Sequence, residues 1–169
     1  MLKVALVGRP NVGKSTLFNR LVVSHKAIVN DLPGVTRDRK YGRGSLADLN
    51  FILIDTAGID DSLIGSTEIN IRKQSQIAID DANIIFFVID GREGVLPVEK
   101  SLAKDLKKQN KPIIVLINKS EGSRGLVGLS EAANLGFDNV IPISAEHGEG
   151  LPDLYDVLKD NLYDKNVNL

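Results

Sequence analysis

The densest chemical signal in the chain is Gly8-Arg9-Pro10-Asn11-Val12-Gly13-Lys14-Ser15, which fits the pattern G-x-x-x-x-G-K-[ST] at every fixed position. The glycines let the backbone wrap closely around an anion, with several N–H groups turned inward. The helix expected to start at the loop adds its positive dipole end. Lys14 can reach the outer phosphates of a nucleotide as a point charge. The Ser15 hydroxyl suits Mg²⁺, a hard cation that takes oxygen ligands, and Thr16 beside it is placed to bond the α-phosphate. Without its surroundings the segment is only a Gly-rich turn capping a helix. The apolar run before it and the helical stripe after it favour the phosphate loop.

A second segment, Asp55-Thr56-Ala57-Gly58, closes another apolar run. Asp55 can hold Mg²⁺ through a water molecule, and the Gly58 N–H can meet a γ-phosphate without side-chain hindrance. On its own this is an ordinary strand-to-turn sequence; it gains meaning downstream of a phosphate loop. A third segment is Asn118-Lys119-Ser120-Glu121. A carboxylate such as Glu121 accepts two hydrogen bonds from the N1–H and N2–H₂ edge of guanine, and adenine offers no such pair. Asn118 can meet the N7/O6 side, and the Lys119 stem can lie over the ring. Backbone N–H groups of Ser144-Ala145-Glu146 can meet the guanine O6.

These residues need elements to carry them. Val4–Val7, Phe51–Ile54, Ile84–Ile89, Ile113–Ile117 and, more weakly, Val140–Ile143 are short, continuous apolar runs rich in Val and Ile. That is how strands read when both sheet faces are covered. Between them lie helical stripes: Leu17, Leu21 and Val22; Leu102, Ala103 and Leu106; Leu151, Leu154, Val157 and Leu158. Alternating strands and helices predict a doubly wound α/β domain with helices on both faces. In such sheets ligands lie at the carboxyl ends of strands, where all three segments stand. Arg39–Leu46 followed directly by Asn50–Asp55 leaves no room for a helix, so a hairpin with one antiparallel strand is predicted. Ser24 to Arg37 and Gly58 to Ser66 are expected to be loops.

With 169 residues the chain fits one domain. Lys and Arg number 21 and Asp and Glu 22, so no bulk field draws nucleic acid or an anionic membrane. Arg37, Arg39, Lys40 and Arg43 form a local basic run that reads as a solvated face, with rRNA contact the alternative. There is no cysteine, which removes disulfides, thiolate metal sites and cysteine nucleophiles. No apolar run is long enough to span a bilayer, and the expectation is a soluble, cytoplasmic protein.

The segments GRPNVGKSTLFNRL, PGVTRD, DTAGI, NKSE and SAEHGEG occur in order across nearly the whole chain. They resemble translation-factor-type GTPases of the Era/Der branch, most of all the first G domain of the Der (EngA) type. The resemblance implies an α/β P-loop NTPase fold of the Ras-like kind, with a mostly parallel six-stranded sheet, one antiparallel strand and helices on both faces. It implies a G domain over residues 1–163, then a tail or linker at 164–169 leading to a second G domain and a KH-like domain. The implied function is a GTP-binding and GTP-hydrolysing switch in assembly of the large ribosomal subunit, with its rRNA and protein as partners. Mg²⁺ would be held by Ser15, Thr36 and, through water, Asp55. Catalysis would rest on Lys14, Thr36 and Gly58. Pro33, Gly34, Val35, Thr36 and Arg37 would form one switch, and Asp55, Thr56, Ala57, Gly58 and Ile59 would begin the other. In related GTPases a K⁺ ion supplies the charge of an arginine finger, held partly by the residue matching Asn11.

Two positions depart from the wider pattern. Glu121 stands where the family has Asp, which keeps the acceptor pair and adds a methylene. Ile59 stands where Ras has the Gln that orients water, a difference usual in the Era/Der branch. Two other readings stay open at this point: an ATP-using P-loop phosphotransferase, and a nucleotide-binding interaction module with negligible hydrolysis.

Overall fold

The continuous Val/Ile runs pair into one seven-stranded sheet, ordered β2-β3-β4-β1-β5-β6-β7. The computed structural model describes residues 1–24, 40–56, 67–120, 122 and 125–164. In it the strands are β1 (Lys3–Val7), β2 (Val22–Ser24), β3 (Lys40–Leu46), β4 (Leu49–Asp55), β5 (Ile84–Asp90), β6 (Ile113–Asn118) and β7 (Asn139–Pro142). The helices among these residues are α1 (Lys14–Leu21), α2 (Glu68–Asp81), α3 (Pro97–Lys107), α4 (Gly125–Ala133) and α5 (Leu151–Asp164). Strand β1 lies between β4 and β5 and runs parallel to both. Only β3 is reversed, antiparallel to β2 on one side and β4 on the other.

The sheet has seven strands where six were expected. The extra one is β2, and it corrects the placement of Val22 on the helical stripe. Val22 leaves α1 in extended conformation (φ −79°, ψ 130°) and pairs with Gly44. Two adjacent β-branched residues, Val22 and Val23, favour that exit. Gly42 makes it possible, since a Cβ there would lie 2.5 Å from the Val22 side chain.

Burial explains why the strands do not alternate in polarity. Val4, Leu6, Leu53, Phe86, Val88 and Leu116 pack with Leu17 and Phe18 of α1 and Leu154 and Leu158 of α5. Ala5, Val7, Ile54, Ile85, Phe87 and Val115 face the other way, toward Ala78 and Ile79 of α2, Leu102 and Leu106 of α3, and Ala132 of α4. Both faces are covered, so both sets of side chains must be apolar.

The helix starts are locally determined. Thr67 caps α2 by accepting from the Asn70 amide at 3.3 Å. Pro97 opens α3, and the Glu99 carboxylate reaches back to the Leu96 amide at 2.9 Å. Of the basic run, Lys40 lays its ammonium over the Phe18 ring at 4.5 Å and Arg43 is exposed; Arg37 and Arg39 lie outside the described residues. No helix among the described residues is long and apolar enough to cross a membrane.

Candidate functional site

The chain leaves β1 at Val7, turns through residues 8–13 and enters α1 at Lys14, all at the carboxyl edge of the sheet. The turn needs glycine at two places. Gly13 caps α1 at φ +99°, and a Cβ on it would lie 2.0 Å from Asn118 Nδ2. A Cβ on Gly8 would lie 2.6 Å from the Val88 carbonyl oxygen. Asn11 also takes a left-handed conformation, at φ 69°, a region its short polar side chain tolerates. The backbone curls around a cleft of about 300 Å³ lined by Pro10, Asn11, Gly13, Lys14, Ser15, Thr16 and Lys119. Val12 is buried beneath it.

Lys14 is buried, with Nζ 3.5 Å from the Thr56 hydroxyl. Ser15 and Thr16 are exposed on the first turn of α1 and line the cleft. Asp55 ends β4 beside the loop: the register pairs it with Leu6, and it is fully buried. An ammonium, a helix N-terminus, hydroxyls and a carboxylate are thus gathered at one sheet edge. Arg9 is the loop residue whose side chain goes elsewhere. Its guanidinium lies 2.6 Å from the Glu93 carboxylate and 3.5 Å from that of Glu99.

The residues expected to read a base meet the phosphate loop directly. Asn118 ends β6, buried, and uses both ends of its amide: Nδ2 donates to the Val12 carbonyl at 2.8 Å, and Oδ1 accepts from the Ala145 N–H at 2.9 Å. Lys119, at φ 60°, donates to the Asn11 carbonyl at 3.1 Å and pairs with Asp90 at 2.9 Å. After β7, buried Ser144 takes the His147 N–H on its hydroxyl at 3.2 Å, which closes a tight turn carrying Ala145 and Glu146.

Three residues given no role of their own in the motif reading hold this arrangement. Asp90 ends β5 as Asp55 ends β4, and its carboxylate takes the amides of Arg92 and Glu93 as well as Lys119. Burial works against its charge, but the Lys119 hydrogen bond and the two amides outweigh it and hold the carboxyl below its ordinary range. Glu99 has no accessible surface. Burial pushes its carboxyl above the ordinary range, and the Leu96 amide and the Arg9 charge offset only part of that. Arg20, at the far end of α1, binds carbonyls of the loop after β7. A carboxylate at a strand's carboxyl end was a readable signal for Asp90, whereas Glu99 and Arg20 sit on helices with nothing in their spacing to mark them.

Pro33, Gly34, Val35, Thr36, Arg37, Ala57, Gly58, Ile59 and Glu121 lie outside the described residues. What is described fits a polyphosphate with a divalent cation. Gly8 and Gly13 let the loop pack closely against Val88 and Asn118, where a Cβ would collide, the cleft it borders is lined by Lys14, Ser15 and Thr16, and Ser15 and Asp55 are hard oxygen donors. Among the described residues no group of three His, Cys, Asp or Glu side chains could hold a metal alone; Mg²⁺ in such sites takes much of its coordination from phosphates and water.

Residues 3–119 match the model of a family described as 50S ribosome-binding GTPase. The chain is similar to the GTPase Der of Parvibaculum lavamentivorans, 53% identical over 156 residues, which is 92% of this chain and 33% of that protein. It therefore spans about a third of the length of such relatives. Among solved structures it resembles Aquifex aeolicus Era bound to GDP and AlF₄⁻, with TM-score 0.68, 30% identity, and 92% of this chain and 55% of that one covered. It also resembles the G domain of the T. maritima FeoB iron transporter, with TM-score 0.68, 26% identity, and 96% and 99% of the two chains covered.

Proposed function

The chain belongs to the family of 50S ribosome-binding GTPases, and from that premise we propose that it binds GTP and GDP with Mg²⁺ and slowly hydrolyses GTP to GDP and phosphate. The observation that carries this reading is the cradle at the start of α1, where left-handed Asn11 and Gly13, buried Lys14 and the Ser15 and Thr16 hydroxyls border one cleft. Water attacks the γ-phosphoryl group in line with the departing GDP oxygen. The loop amides and Lys14 orient the phosphates and stabilise the charge that builds on them. Mg²⁺, held by Ser15 and through water by Asp55, would when bound offset the charge of the β- and γ-oxygens.

The rest of the proposed site is taken from the matching motif positions. Thr36 would complete the metal shell, the Gly58 N–H would meet the γ-phosphate, and residues 33–37 and 55–59 would be the segments that respond to its loss. Ile59 cannot polarise water, so placement of the nucleophile falls to backbone groups. Glu121 accepts from the guanine edge, and its extra methylene alters affinity while keeping the preference. Asn11 would help to hold a K⁺ ion. The proposed partners are the large ribosomal subunit, through rRNA and protein, and a second G domain and KH-like domain of a longer protein; the proposed location is the cytoplasm.

Mass spectrometry of nucleotide retained by the purified protein should find GDP or GTP, and unlabelled ATP should fail to displace labelled GTP. Lys14→Ala should lower guanine-nucleotide affinity at least about tenfold; unchanged binding defeats the reading. Single-turnover release of phosphate tests the hydrolytic step, and its absence over hours leaves a binding module. Equal turnover in K⁺ and Na⁺, or none lost on Asn11→Ala, removes the K⁺ site.

A further inference from the structure

Arg20 stands on the last turn of α1, the helix that begins at the phosphate loop. Its side chain crosses to the turn after β7. Nε donates to the Ala145 carbonyl at 2.5 Å, and a terminal nitrogen donates to the Glu146 carbonyl at 2.6 Å. One planar guanidinium therefore fixes two consecutive peptide groups. The turn is fitted closely to it: Gly148 sits at φ +72°, and a Cβ there would come within 2.9 Å of an Arg20 terminal nitrogen.

A trans peptide is planar, so its N–H points opposite to its C=O. Holding the Ala145 carbonyl aims the Glu146 N–H away from Arg20. The other N–H groups of this turn are spent within the protein. Ala145 donates to Asn118, His147 to the Ser144 hydroxyl, and Gly148 and Glu149 to the Ser144 carbonyl. Of the N–H groups of residues 145–149, the Glu146 N–H alone meets no acceptor among the described residues.

We propose that Arg20 is a specificity-determining positioning residue, which aims the Glu146 amide at O6 of bound guanine and thereby sets how long the nucleotide stays. The inference rests on the guanine-nucleotide reading above. Arg20 does not line the phosphate cleft and is bonded to carbonyl groups of the turn, so its effect falls on binding.

The test compares GDP with 6-thio-GDP, in which sulfur, a weaker hydrogen-bond acceptor, replaces O6. The wild-type chain should prefer GDP. Arg20→Ala should release GDP about tenfold faster while changing release of 6-thio-GDP little, so the preference collapses. Arg20→Lys, which keeps one donor, should fall between. A loss shared equally by both ligands, no loss at all, or a wild-type chain indifferent to the sulfur overturns the proposal. A wild-type chain that fails to distinguish GDP from ADP overturns the nucleotide reading itself, before any substitution is made.

Discussion

On the phosphate side of the cleft, residues 8–13 present backbone, bent through positive φ at Asn11 and Gly13, and Arg9 turns its side chain away to Glu93 and Glu99. On the side proposed for the base, Asn118 and Lys119 present side chains whose polar ends are already bonded to the protein, to Val12, Ala145, Asn11 and Asp90. The first half can greet an anion of any sequence context, because every residue but proline carries an N–H. The second half must be built residue by residue, since donors and acceptors have to match a ring edge. The difference predicts which substitutions each side tolerates: changes of backbone freedom on one, changes of amide and charge on the other.

Gly13→Ala should be the most damaging way to test that division. The new methyl group would strain a left-handed residue and push Asn118 off its partners, for about 2–4 kcal/mol of lost stability and loss of most nucleotide affinity. Calorimetric titration with GDP measures it, and binding that survives unchanged breaks the claim that the loop works through its backbone. Asn118→Ala comes next, at about 2–3 kcal/mol in urea unfolding, because it strands the buried Val12 carbonyl and Ala145 N–H. If it also weakens pyrophosphate, which has no base to read, then the two sides are mechanically one.

Asp90→Asn should cost about 1 kcal/mol near neutrality. Because the folded Asp90 carboxyl lies below its ordinary range, its stabilisation is present above the unfolded pKa and is lost as pH falls through the folded one. The variant should therefore unfold with a shallower acid dependence. Glu99→Gln should do least, within about 0.5 kcal/mol at neutral pH. Its carboxyl is raised, so wild-type stability falls as pH rises from the unfolded pKa through the folded one, and the variant should flatten that slope. A Gln variant much less stable than wild type would show that the Arg9 pairing outweighs the burial of the charge.

Much of this was legible in the sequence, for reasons that differ by residue. The strands could be read because burial on both faces leaves an uninterrupted apolar run, as in Ile84–Ile89. The phosphate loop could be read because its backbone demands glycine at fixed places. Helix α2 gave no stripe, since only Ser75, Ala78 and Ile79 are buried along it. Strand β2 was hidden because three residues are too few to show a period, and Val22 fits the helical face it actually leaves. Arg20 was invisible for another reason: it binds carbonyl groups, and a carbonyl partner writes nothing into the sequence.

The double use of the Asn118 amide carries a last consequence. One end touches the loop proposed to face phosphate and the other the turn proposed to face the purine, so a single rigid planar group links those two stations. The protein carries an internal ruler. A molecule supplying the right head and the right tail at the wrong separation will satisfy one station only, and length becomes a selected property of the ligand alongside its charge and its ring.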